Sequence, residues 1–552
     1  MRKLIQVFLT ALLMCLAAGV ASAQTFRVQC PLTTTFHPDA TATSNGGIKC
    51  QQISGGDGFA TMADGNQIYM FSFGPLSGLA DIANGLPGTE PALMFDTVDP
   101  AGLVPANGYT PTPGYNGAIG LVPDQQGITT LIPEPSGANV NGVPVLVPVS
   151  NCIGTMAVAN PLDPASGCLT GHVDPRLIMD TGVMNGNIPA PLIAIDEDDE
   201  FFLTLTNVGM IMRPDLFEQH TVHFHGYPNA SSFYDGVPDA SVAINIGGSF
   251  TYYYLAPDAG TYFWHCHITP PEHLQMGMVG QLYVRPRQNR VPVNANLYSS
   301  TPNGWQAQQL DLRKASNCAV DILCPAPGPL TTTATHANNK SGTPTFYTYN
   351  DGDGSTAYDV EYPLQIHGFD PSFHFVGMTF NPEQFADMKD KYFLLNGRSY
   401  PDTAGIAGST PTGPMSTNST DGAPHFSQPL NSIINIPVGG KALLRISDLD
   451  VTEYQTLASL GIPMHVVGYN ARLLRDTAGN NMDYFTNSIT LAGGESLDAI
   501  LDASDPKYTA GQTFYLYTPN LDHLSNDAEN FGGLMTEVHI CSTVDPLTKA
   551  CN

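Results

Sequence analysis

The sequence predicts an all-β protein built from two similar β-sandwich blocks. Three observations carry this expectation. Short runs rich in Val, Ile, Tyr and Phe recur between Gly, Pro and Asp turns, the spacing of a sandwich or barrel. The same order of runs occurs twice along the chain. Helix signals are weak, and 54 Gly and 45 Pro among 552 residues, with only 13% charged side chains, describe an ordered, turn-rich chain. A chain this long is expected to divide into two or more domains.

The elements follow in order. Residues 1–23, "MRKLIQVFLTALLMCLAAGVASA", join a basic start, an apolar run and a small-residue end. That pattern predicts a secretory signal peptide cut before Gln24, with a lipoprotein site at Cys15 as the weaker alternative. No later segment is apolar for long enough to span a membrane, so a periplasmic or extracellular location is expected. Residues 24–175 are rich in Gly, Pro, Thr and Asn and are expected to be irregular structure decorating the first domain. Residues 176–290 carry "PLIAIDEDDEFFLTLTNVG", "HTVHFHGYP", "SVAINIGGSFTYYYLAPDAGTYFWHCHI" and "VGQLYVRP", the strands of the first sandwich. Residues 291–344 are expected to be a linker. Residues 345–552 repeat the pattern in "SIINIPVGGKALLRISDLD", "IPMHVVGYNARLLRD", "SITLAGGESLDAILDAS" and "QTFYLYTP". "NPEQFADMKDKY" is the best short helix candidate.

The formal charge is −28, from 49 acidic and 21 basic residues. Such a surface repels phosphate backbones and argues against a nucleic-acid partner. Without Cys15, nine cysteines remain of the 10. Eight form sequence-close pairs, Cys30/Cys50, Cys152/Cys168, Cys318/Cys324 and Cys541/Cys551, which are plausible disulfides in an oxidising compartment. Cys266 is left over.

Cys266 lies in "HCHITPPEHLQMGM", and a second His-rich run, "HTVHFHG", starts at His220. Side chains on a strand alternate faces. His265 and His267 therefore share one face, and Cys266 points the other way. His223 and His225 share a face, and His220 points opposite to them. Parity sorts the residues into two sets. One is Cys266, His220 and, from the loop that follows, His273 and Met278. A thiolate, two imidazoles and a weak Met ligand are the donors of a type 1 copper site. Met276 competes for the axial place, and a structural zinc site would recruit more thiolates. The other set is His223, His225, His265 and His267, four imidazoles suited to further copper ions that reduce a small molecule. The backbone of Cys266 joins the two sets.

These two motifs, with "NGNIPAPLIAIDEDDEFFLTLTN", "YDGVPDASVAINIGGSFTYYYLAPDAGTYFWH" and "YFLLNGRSYPD", resemble the multicopper oxidase family, the laccases and their relatives. The resemblance is strong over about residues 176–290 and weak over 345–540. It implies cupredoxin-like Greek-key sandwiches. It also implies a type 1 copper on His220, Cys266, His273 and Met278. His223, His225, His265 and His267 match half the ligands of the trinuclear type 2/type 3 cluster that reduces dioxygen. Asp235, in "YDGVP", matches a family acid that delivers protons there, though the same Asp-Gly also fits an ordinary turn. The chain departs from the family in its second half. Ile462 and Val467 flank His465 where paired His would stand, and no second His-Cys-His occurs. His465 is then expected to be a core or turn residue. The missing ligands could come from another subunit of a homotrimer, with His367, His374, His425, His465 and His523 as the candidates. A nitrite-reductase-like enzyme is an alternative, although His223 and His267 depart from that pattern. A copper-binding electron carrier or copper-handling protein with an incomplete cluster is another. The reductant, whether a phenol, a metal ion or a protein donor, is left open.

Overall fold

The computed structural model is mostly β-strand. It describes chiefly residues 29–95, 184–290, 346–404 and 430–552, with short gaps inside these spans. The expected signal peptide, the linker and the pairs Cys152/Cys168 and Cys318/Cys324 lie outside the described residues.

The first sandwich is made of β1 (Ile48–Thr61), β2 (Gln67–Pro75), β3 (Ile193–Asp196), β4 (Glu200–Gly209), β5 (His223–Phe224), β6 (Ser249–Leu255), β7 (Gly260–His265) and β8 (Val279–Arg285). One sheet runs β6-β4-β1-β2 and the other β5-β7-β8-β3. Period-two alternation points Phe201, Leu203 and Leu205 of β4, Tyr252 and Tyr254 of β6, and Tyr262 and Trp264 of β7 into one core. Each such side chain contributes about 1.5–3 kcal/mol by leaving water.

Here the expectation for residues 24–175 is corrected in part. β1 and β2 come from that region, yet they are framework, because β1 pairs in parallel with β4 and antiparallel with β2. Its sequence, "IKCQQISGGDGFAT", carries three glycines. They are there for close approach: a Cβ at Gly58 would sit 2.8 Å from the Gly186 carbonyl oxygen. A disulfide, Cys30–Cys50, ties the preceding segment to this strand.

The second sandwich has one sheet of β9 (Val360–Phe369), β10 (Tyr392–Leu395), β12 (Lys441–Asp448), β14 (Met464–Tyr469) and β16 (Ser496–Asp502), ordered β10-β9-β12-β16-β14. Two short strands extend its β14 edge. The facing sheet is β11 (Ile434–Pro437), β18 (Met535–Cys541), β17 (Thr513–Tyr517), β13 (Gln455–Leu460) and β15 (Ser488–Leu491), in that order. Leu364, Leu444 and Leu501 meet Ile434, Leu457 and Val538 between them. Cys541–Cys551 closes the C-terminal end.

Among the described residues, helices are brief. The stretch expected to be a loop after His267 contains α1 (Pro270–Gln275), and α2 (Pro371–Gly377) follows β9. Within "NPEQFADMKDKY", the described residues form a 3-10 turn at Phe385–Asp387. No helix among the described residues is long and apolar enough to cross a membrane.

The second sandwich covers the outer face of β7 and β8. Thr261 Oγ1 donates to Asp498 at 2.6 Å, and Gln281 Nε2 donates to Ser447 Oγ at 2.8 Å. Glu361 sits between Arg285 (2.6 Å) and Arg445 (2.9 Å), and Arg445 lies over the Tyr283 ring. Burial alone would raise the Glu361 pKa, but the two guanidinium groups hold it well below the ordinary 4.5. Removing one member of a buried ion network strands its partners, so Glu361→Gln is expected to cost about 3 kcal/mol in thermal or denaturant unfolding at neutral pH. A depressed folded pKa gives stability that is present above 4.5 and lost as pH falls below it. The difference between wild type and variant should therefore shrink in acid.

Candidate metal centre

The two parity-sorted sets stand on opposite sides of one strand end. In β7 the inward residues Tyr262 and Trp264 continue into Cys266, buried in the core of the first sandwich. Thr261 and Phe263 face the second sandwich, and His265 continues that face. Antiparallel pairing puts His223 opposite His265 and Phe224 opposite Trp264. The sequence places each His by register, and the register places the site.

On the inner side, His220, Cys266 and His273 bring three donor atoms within 4.8 Å of one another. Nδ1 of His273 is 3.2 Å from Cys266 Sγ, and Nδ1 of His220 is 4.0 Å away. The Thr221 amide donates to the same sulfur at 3.4 Å. All three residues are fully buried. His220 is held by a bridge to Ile244 (its amide donates at 3.1 Å), and α1 carries His273. Met276 and Met278 are both buried in the apolar cluster around Cys266. Met278 is also tied to it through the backbone, with the Cys266 amide donating to the Met278 carbonyl at 3.1 Å.

The electrostatics favour a thiolate. Burial would raise the Cys266 thiol, but His273 and the neighbouring amides bring it below its ordinary value. Burial would lower His273, but the Cys266 thiolate and the Glu218 carboxylate push it up to about 10. Burial, then His273, lowers His220 to about 3. Without metal, these shifts favour a thiolate–imidazolium pair beside a neutral imidazole.

On the outer side, His223, His265 and His267 form a second group with donor atoms within 4.8 Å. His225 joins them through its Nε2, 3.0 Å from His265 Nε2. Three of these rings are oriented alike. Nδ1 of His223 is 2.7 Å from the Asp235 carbonyl, Nδ1 of His265 is 2.7 Å from the Cys266 carbonyl, and Nδ1 of His225 is 3.3 Å from the Gly494 carbonyl. An Nδ1–H bonded to a carbonyl leaves Nε2 as a lone pair, the arrangement that fixes metal-binding imidazoles. Burial first, then neighbouring imidazoles, lowers His225 to about 4 and His265 well below its ordinary value, so both are neutral near pH 7. The Asp235 carboxylate lies 3.5 Å from His223 Nδ1. The group borders a cleft of about 410 Å³ lined by His225, Phe263, Leu274, Asp450 and Thr452.

Among the described residues, no histidine of the second sandwich joins either group. His465 pairs with Asp483 at 3.0 Å and stacks on Phe485. His523 stacks on Phe393 and meets Glu453 at 3.1 Å. His367 and His374 are buried beside backbone carbonyls. The side chain of His425 lies outside the described residues. Ile462 and Val467, which stand where ligands were sought, are fully buried apolar residues.

Sequence reasoning passed over several residues that shape the site. Glu218 lies 3.6 Å from His273 Nε2, and only the fold brings it there. Gly55 backs His220, and Gly494, with φ +91°, backs His225.

The first β-sandwich thus carries a buried thiolate–imidazole donor set on one side of the β7 end and an imidazole set on the other. Residues 172–289 match the family model for multicopper oxidases and form a domain of that family. The multicopper oxidase MCE of Talaromyces pinophilus is 32% identical over 128 residues, 23% of this chain and 20% of that protein. Laccase abr2 of Aspergillus fumigatus is 35% identical over 109 residues, 19% of this chain and 17% of that one. The chain thus matches about a fifth of the length of these curated relatives. Among solved structures, a blue copper oxidase from Nitrosomonas europaea aligns over 64% of this chain and 78% of its own, at TM-score 0.41 and 19% identity.

A Cβ at Gly55 would stand 2.4 Å from the His220 ring. Gly55→Ala is therefore expected to displace that ring, costing about 1–3 kcal/mol by overpacking. A copper(II) titration followed by thiolate absorption should show weakened binding, with thermal unfolding reporting the stability loss.

Proposed function

We propose that the protein is a copper-dependent, laccase-like multicopper oxidase that takes electrons from a small-molecule or metal-ion reductant and reduces dioxygen. The observation that carries this is the pair of donor sets on either side of Cys266, one with a thiolate and one purely imidazole. The donors fit copper: a deprotonated thiol with Nδ1 of His220 and His273 would hold a type 1 ion, with the Met278 thioether as the weak fourth donor. His223, His225, His265 and His267, tied through Nδ1 and presenting Nε2, suit type 2/type 3 ions.

Copper, when bound, supplies one-electron oxidation on the thiolate side and dioxygen reduction on the imidazole side. The residues of the chain do the rest. His273 offers its Nε2 edge toward Glu218, beside Phe217, which is 83% exposed, so a reductant can approach there. Cys266 is bonded to both His265 and His267, a covalent link between the two sets. Asp235 holds the His223 ring through its carbonyl, and its partly exposed carboxylate is the group proposed to pass protons inward. The described second sandwich adds no histidine to the outer set, so the proposal includes a homotrimer in which another chain completes it. Two disulfides in the described residues support an oxidising, periplasmic or extracellular setting.

Cys266→Ser should abolish the intense visible band of the copper-loaded protein, and oxygen consumption with it. His223→Ala should keep the band and lose oxygen consumption by about 100-fold or more. One copper per chain with no oxygen consumption in the wild-type oligomer would overturn the oxidase reading.

A further inference from the structure

The helix α1 carries a proposed copper ligand, yet it is short and cannot hold itself in place. It has six residues, starts with two prolines and follows Thr269, whose φ is +36°. An isolated helix of this length is unstable in water, so its position must come from tertiary contacts. Several of those contacts come from the second sandwich, and these converge on Gln275.

Gln275 is fully buried. Its Nε2 donates to Asp390 Oδ1 at 3.0 Å, and its Oε1 accepts from the Asp370 amide at 2.9 Å. Its backbone carbonyl lies 2.9 Å from Nε2 of His374, on α2. The other ring nitrogen of His374, Nδ1, contacts the Tyr69 carbonyl of β2. His374 therefore bridges the strand and the helix that flank the inner donor set. On the same strand, Phe71 packs edge-on against His273 at 5.3 Å. Asp370 is itself fixed, since its side chain caps α2 and accepts from the Lys389 amide at 2.8 Å. The anchor is thus rigid on its own side. Only Leu274 separates Gln275 from His273, so whatever places one places the other.

We propose that Gln275 and His374 are positioning residues of the thiolate site. The second sandwich, which supplies no ligand in the described residues, sets the distance between His273 and Cys266 from across the domain interface. This rests on the reading of the Cys266 side as a copper site for its spectroscopic consequence, though not for its structural one. The second sandwich would then serve a purpose beyond covering β7 and β8.

The test compares three variants of the full chain. Gln275→Leu removes the polar anchor. His374→Gln is milder, because the amide keeps a hydrogen-bond donor but loses the ring that spans Tyr69 and Gln275. Gln281→Leu is the control: Gln281 is equally buried at the same interface and donates to Arg445 O and Ser447 Oγ, but it lies on β8, away from α1. In the metal-free protein, iodoacetamide labelling mapped at Cys266 by mass spectrometry should speed up about tenfold in Gln275→Leu. That is the gain in local opening expected when one or two buried hydrogen bonds are lost. His374→Gln should fall between that rate and the wild-type rate. Gln281→Leu should match wild type even where its unfolding midpoint drops. In the copper-loaded protein, the EPR hyperfine splitting and visible band should shift in the first two and not in the control. Wild-type labelling rates in both α1-directed variants, or an equal increase in the control, would overturn the proposal. If the wild type takes up no copper at Cys266, the function fails, and the labelling arm still decides the positioning role.

Discussion

The structure depends on one constraint, the two-residue period of a β-strand at its point of exit from the sheet. Cys266 follows β7 with the parity of Tyr262 and Trp264, so it enters the core of the first sandwich. His265 follows the parity of Thr261 and Phe263, so it faces the second sandwich. Two chemically different donor sets arise from neighbouring residues with no extra element. In the buried core, His273 beside Cys266 favours the thiolate, and on the outer face burial keeps His225 and His265 neutral. Burial acts on both sets, and the Cys266 thiolate, with Glu218 beside it, makes the difference at His273.

The second sandwich follows from that geometry. The outer face of β7 needs a cover, and the cover places Gly494 and Asp450 beside His225 and the cleft. Its core positions, Ile462 and Val467 among them, are apolar where a ligand-bearing domain would be polar. Its buried polar groups instead serve the interface: Arg445 and Glu361 hold β8, and Asp370, His374 and Asp390 hold α1. A domain without ligands can still govern a metal site when the ligand-bearing helix is too short to stand alone.

Much of this was legible in the sequence because strand parity is a local rule. "HTVHFHG" and "HCHITPPEHLQMGM" gave the two sets, and the structure brings together His220, Cys266 and His273 from one and His223, His265 and His267 from the other. The two-sandwich architecture was legible from recurring runs and turns. Other features were hidden for physical reasons. β1 was hidden within a region expected to be irregular, because its glycines permit close backbone approach, a tertiary need that composition cannot separate from irregular structure. α1 looked like a loop because two prolines and six residues carry no periodicity. Glu218, Gly55, Gly494 and Gln275 matter through contacts distant in sequence, which no window reveals.

The central claim is that the backbone at Cys266 divides two copper-binding sets. Anomalous diffraction at the copper edge, from crystals of the copper-loaded protein, tests it directly. The account predicts one peak among His220, Cys266 and His273, and at least one separate peak among His223, His225, His265 and His267. A single peak shared between the sets, or none beside Cys266, would contradict it.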